Sequence, residues 1–122
     1  MTQEEKELLL KDLSGRLPYD VKVQVIGVSD YTNEYLSPKI KTLDYLLFGK
    51  LEAVIKGYRK DEIKPYLFPM SSMTEEQRKE YGLVLCGELS INQYDWLNAH
   101  HFDYRGLIPI GLANDATGLG IY

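Results

Sequence analysis

Apolar positions along the chain change from helical to extended periodicity and back, and the changes mark out elements. Leu9, Leu10, Leu13 and Leu17 recur at near-helical intervals on one side of Lys6, Glu7, Lys11 and Asp12, the stripe of an amphipathic helix. Thr2 and Glu5 have the spacing of a capping box. A first helix is therefore predicted over residues 3–14, with Gly15 at its C-terminal cap and Pro18 in the turn that follows. Val21, Val23 and Val25 alternate with Lys22 and Gln24, the period-two pattern of a strand with one buried face, which Ile26 and Val28 extend. Residues 29–39, interrupted by Asp30, Asn33, Ser37 and Pro38, read as a loop in which Tyr31 and Tyr35 are free to line a surface.

Two apolar runs, 40–48 and 51–55, flank Gly49-Lys50 and predict a hairpin, although Leu43, Leu46, Leu47, Val54 and Ile55 also suit a helix broken at Gly49. Residues 57–64 form a charged link. Pro65 and Pro69 then argue against long regular structure over 63–69, which is expected to be an ordered connector across the sheet. Thr74 and Gln77 form a second capping box, with Glu75 and Glu76 in the first turn, and predict a short helix ending near Tyr81-Gly82. Leu83-Val84-Leu85 is expected to be a short strand. Ile91, Tyr94, Leu97 and His101 make a helical stripe, with Trp96 and Ala99 beside it and Ser90 or Asn92 as its cap, over residues 91–101. Asp103 caps a further turn through Leu107 and Ile108, Pro109 ends it, and residues 114–122 read as a loosely held tail. These elements imply an α+β fold: a small antiparallel sheet packed against the N-terminal helix and two later short helices, with 1–122 as a single domain.

With 122 residues, 44% of them hydrophobic, the chain is able to bury one core without a staple. A net charge of −4 is the wrong sign for a protein that grips phosphates, so nucleic acid is an unfavoured partner. A single cysteine, Cys86, rules out an intrachain disulfide and suits a reducing cytoplasm. The N-terminus is polar and acidic, unlike an export signal, and no apolar run reaches membrane-span length.

Phosphate-loop, HExxH and calcium-loop signatures are absent, no cofactor motif is present, and Gly118-Leu119-Gly120 lacks a following helix to receive a pyrophosphate. Reactive side chains are densest at Asp95, Asn98, His100, His101, Asp103, Tyr104 and Arg105. Adjacent helical residues point about 100° apart, so only one of His100 and His101 could join Asp103 at a metal or hydrolytic site. The plainer account has a histidine serving the helix C-terminus while Asp103 caps the next turn and pairs with Arg105. Cys86, beside apolar Leu83-Val84-Leu85, is expected to be a buried small hydrophobe. Ten tyrosines, three phenylalanines and Trp96 exceed the needs of a small core; the competing account packs Tyr45, Tyr66, Tyr94 and Trp96 inside with wet polar tips. Tyr58, Arg59, Lys60 and Lys64, mixed with Asp61 and Glu62, read as a solvated face rather than a nucleic-acid platform.

Two stretches, Ile63-Lys64-Pro65-Tyr66-Leu67-Phe68-Pro69-Met70-Ser71-Ser72-Met73-Thr74-Glu75-Glu76 and Asp95-Trp96-Leu97-Asn98-Ala99-His100-His101-Phe102-Asp103-Tyr104-Arg105-Gly106-Leu107-Ile108, resemble a family of small uncharacterised proteins of gut bacteria and their phages or mobile elements. Phe68 stands where that family's pattern has an arginine, and Pro109-Ile110 replaces a more polar pair. The resemblance implies no activity, cofactor or catalytic residue, only a bias toward small accessory proteins. The expectation is thus a non-catalytic module that binds a protein partner, through Tyr66, Phe68, Trp96, His100, Asp103, Tyr104 and Arg105. A metal-assisted hydrolase centred on His100, His101 and Asp103, and a nucleic-acid binder, are the alternatives.

Overall fold

A computed structural model describes residues 2–29, 31–32, 34–57 and 62–122. Helix α1 (Gln3–Arg16) opens on the predicted capping box: the Thr2 hydroxyl accepts from the Glu5 amide, and the Glu5 carboxylate accepts from the Thr2 amide. It runs past Gly15, because Arg16 returns one turn to Asp12 and holds the last residues helical. Gly15 is thus inside the helix rather than its cap. A Cβ there would stand 3.4 Å from the Asn98 amide, so the glycine admits a close neighbour.

Strand β1 (Lys22–Ile26) buries Val23 and Val25 as its alternation requires. Antiparallel to it lies β2 (Lys39–Thr42), and there the expected hairpin fails. Asp44 Oδ1 accepts from Leu47 N at 2.8 Å and starts α2 (Tyr45–Ile55). Leu43, Leu47 and Leu51, four residues apart, are buried together. A cap and a continuous apolar stripe outweigh the ~1 kcal/mol that Gly49 costs inside a helix.

Strand β3 (Glu62–Pro69) is the centre of the sheet, not a connector. Its register explains how it tolerates proline. Leu43 N donates to Val21 O, so Val21, Val23 and Val25 turn their backbone groups toward β2, and Lys22, Gln24 and Ile26 turn theirs toward β3. Pro65 faces Val23, a position that asks for no N–H on this side. Helix α3 (Glu75–Leu85) absorbs the expected strand 83–85: only Val84 of that trio turns inward. Cys86 follows as its C-cap and is exposed, not buried. Helix α4 (Gln93–Ala99), capped by Asn92, is shorter than predicted because His101 takes a left-handed φ of 61°.

Strands β4 (Phe102–Asp103) and β5 (Asn114–Asp115) both run parallel to β3, giving a mixed sheet with the order β2-β1-β3-β4 and β5 also on β3. The fold is α+β, with the N-terminal helix packed on the sheet. One apolar cluster joins Leu9 and Leu13 of α1 to Val23, Val25, Ile63 and Leu67 of the sheet. A second joins Trp96, Leu97 and Phe102 to Met73 and Val84. Tyr45, at 82% exposure, lies outside both, and so does Tyr94. Among the described residues no helix is long and apolar enough to cross a membrane.

Residues 114–122 are fastened rather than loose. Ala116 N donates to Leu67 O at 2.8 Å, which extends the β5 pairing. Continuing the β1–β3 register by one pair would set Lys22 opposite Tyr66; the Tyr122 hydroxyl stands there instead, accepting from Lys22 N at 2.8 Å and donating to Tyr66 O at 2.6 Å. Tyr122→Phe leaves both backbone groups without that partner. It is expected to lower the unfolding free energy by about 1–3 kcal/mol in urea titration, whereas an unchanged midpoint would show that the hydroxyl does not join the strands.

Candidate functional site

The segment after α4 is organised around a charge with no contact to water. Asp12 and Arg16, one turn apart on α1, are both 0% exposed. Arg16 Nε donates to Asp12 Oδ2 at 2.8 Å, and Nη2 donates to Asp12 Oδ1 at 3.1 Å and to Phe102 O at 2.7 Å. This bidentate pair, extended to a backbone carbonyl, makes the burial of a guanidinium tolerable. Nη1 has no hydrogen-bond partner among the described residues. The guanidinium also lies over the Tyr104 ring, 5.2 Å from its centroid.

Tyr104 and Arg105 form the outward side of this arrangement. The Tyr104 hydroxyl donates to Asn98 Oδ1 at 2.9 Å, and Arg105 places its own guanidinium 4.9 Å from the Tyr104 centroid. Arg105 Nη1 is 3.7 Å from Asp12 Oδ1, so one buried carboxylate serves two cations, closely for Arg16 and at longer range for Arg105. Tyr94 from α4 sits 5.5 Å from Tyr104, inclined at 45°. With Lys11 from α1 these side chains line an open groove of about 450 Å³. Two cations and two phenol rings make it electropositive and aromatic, and Tyr94 is 51% exposed.

The expected site residues divide. Tyr104 and Arg105 reach the groove. Trp96 is buried, donates from Nε1 to Glu80 Oε1 at 3.0 Å, and stacks with Phe102. The His100 ring rests 4.2 Å from Trp96. Phe68 packs between Phe102 and Tyr122, at centroid distances of 6.2 Å and 5.6 Å, and Tyr66 is buried. Asp103 is the turn's cap, as its position suggested: Oδ1 accepts from Leu107 N and Oδ2 from Ile108 N, each at 2.9 Å. The anticipated Asp103–Arg105 pairing is replaced by Arg105 leaning toward Asp12. Lys11 and Tyr94 were absent from the expected set. Tyr94 carries a signal, lying four residues before Asn98 in α4, but its place in the helical stripe reads equally as packing; Lys11 carries none, since its neighbours in the groove come from the other end of the chain.

His101 meets Tyr122. Its ring stacks on Tyr122 at 3.8 Å and 15°, and buried Nδ1 has no partner among the described residues. Both oxygens of Asp103 are engaged by amides, and among the described residues no three His, Cys, Asp or Glu side chains are arranged to hold a metal ion. Of the residues read as a solvated face, with nucleic-acid binding as the alternative, Lys64 lies in β3, while Tyr58, Arg59 and Lys60 lie outside the described residues. Comparison of the chain with protein-family models, curated proteins and solved structures returned no match.

Burial pushes the His101 pKa from 6.5 down to about 4; the positive charges of Arg16, His100 and Lys22 act in the same direction, and Asp20 opposes them. A depressed histidine pKa means that the unfolded chain takes up the proton first. Its stabilising contribution is present above pH 6.5 and is lost as pH falls toward about 4. His101→Asn removes the titration, and asparagine accepts the left-handed backbone. The variant is expected to lose less of its urea midpoint than the wild type between pH about 7 and about 4.5; equal losses would show that His101 does not titrate in this way.

Proposed function

We propose that the protein is a non-catalytic module that binds another protein through the groove of Lys11, Tyr94, Tyr104 and Arg105. The observation that carries this reading is an exposed tyrosine set beside a second one already fixed by Asn98, in a groove that two cations also line. Binding energy concentrates in tyrosine and arginine side chains whose rotamers are restrained before the partner arrives, because less entropy is then lost. Tyr104 meets this condition through its hydroxyl bond and two overlying guanidinium groups. The sign of the groove favours a partner surface that presents carboxylates around an apolar side chain.

The proposed compartment is the cytoplasm: an exposed free thiol at Cys86 is best kept in a reducing environment. An accessory role in a mobile element follows from the family resemblance and belongs to the same proposal.

Affinity capture from a lysate of the source organism, with wild-type protein beside a Tyr94→Ala, Arg105→Ala double variant of unchanged circular dichroism, tests the reading. A partner held by the wild type should be weakened about thirtyfold or more, on the order of 2 kcal/mol. A partner retained equally by both proteins would remove the groove from the account.

A further inference from the structure

We propose a second docking surface, independent of the groove: the open edge of β2 takes up an extended segment of a partner in which acidic and apolar residues alternate. β2 ends the sheet, and among the described residues no strand pairs with its outer side. Its phase is set by the bond from Leu43 N to Val21 O, one step beyond the Lys22↔Thr42 pair. Inward and outward residues alternate in an antiparallel ladder, so Lys39 and Lys41 bond to β1 while Ile40 and Thr42 direct their N–H and C=O groups to the outside.

Side chains alternate in the same rhythm. Lys39 and Lys41 stand opposite the buried Val25 and Val23, on the helix-covered face. Between the end of β2 and α2 lies an open hollow of about 270 Å³ lined by Lys41, Thr42, Asp44, Leu46, Leu47 and Lys50. The one acid there, Asp44, already has Oδ1 engaged with Leu47 N. The other face of the strand presents Ile40 at 51% exposure. Ile40 is thus an exposed large apolar side chain beside a stretch of backbone unpaired among the described residues.

An added strand would set the residues opposite Lys39 and Lys41 on the cationic face and those opposite Ile40 and Thr42 on the other, where Ile40 is the apolar contact and Lys22 Nζ already donates to the Thr42 hydroxyl. Cross-strand pairs of opposite charge, and apolar pairs, stabilise such an addition. The lysines also discriminate. A second copy of this edge, paired about Ile40 or with Ile40 opposite Thr42, would bring lysine directly against lysine, the arrangement by which edge strands avoid their own kind. A carboxylate-bearing strand meets the reverse.

The test is an amide-resolved NMR titration with a capped peptide of alternating glutamate and valine, beside the same peptide with lysine for glutamate. The glutamate peptide should shift the Ile40 and Thr42 amides and slow their hydrogen exchange at least about tenfold, and the lysine peptide should not. Ile40→Pro deletes an outward N–H without touching the inward bonds of Lys39 and Lys41, and should abolish the effect. Lys39→Glu with Lys41→Glu should transfer the preference to the lysine peptide, which checks the charge rule without a proline. Four results would overturn the proposal: silence at both amides up to millimolar peptide, protection elsewhere only, equal response to the two peptides, or protection that follows self-association of the protein.

Discussion

A guanidinium with no exposure to water determines how the two halves of this structure meet. Arg16 is held by Asp12 on its own helix and by the Phe102 carbonyl across the fold. Several kcal/mol per ion are needed to bring such charges out of water, so neither can be buried without the other. Asp12 and Arg16 lie one turn apart on α1, whose Leu9 and Leu13 belong to the sheet cluster; Phe102 belongs to the aromatic cluster with Trp96. The ion pair therefore spans the boundary between two apolar cores. It also supplies the cation beneath Tyr104 and the carboxylate toward which Arg105 leans. The groove is the exposed side of a buried electrostatic arrangement.

Local chemistry made two of the helix starts legible. Thr2 with Glu5 and Thr74 with Gln77 each form the reciprocal bonds that their spacing implies, and the Val21–Val23–Val25 alternation is a strand with one buried face. Where tertiary pairing decides, sequence was a poor guide. Pro65 argued against a central strand, yet the phase of the ladder gives it a place where no donor is required. Leu83-Val84-Leu85 has strand composition but continues a helix already begun at a strong cap. Residues 114–122 look like a tail because their order comes from contacts with β1 and β3, far away in the chain.

The candidate site was half legible for a related reason. A dense run of reactive residues after α4 was visible, and Tyr104 and Arg105 within it reach the groove. The same run also contains residues that build the turn: Asp103 binds two amides, His100 lies on Trp96, and His101 stacks on Tyr122. Composition does not separate residues that shape a loop from those the loop presents. Lys11 reads only as a polar position of an amphipathic helix and Arg16 falls beyond the predicted helix end, yet both complete the arrangement from the other end of the chain.

The most direct test of this account is equilibrium unfolding of Asp12→Ala, Arg16→Ala and the Asp12→Leu, Arg16→Met pair. Each single change strands a buried charge or removes its partner and should cost about 3–5 kcal/mol, whereas the paired apolar replacement should cost clearly less than the sum of the two. Single variants within about 1 kcal/mol of wild type would mean that the charges are reached by water, and that the two cores and the groove between them are held together by something else.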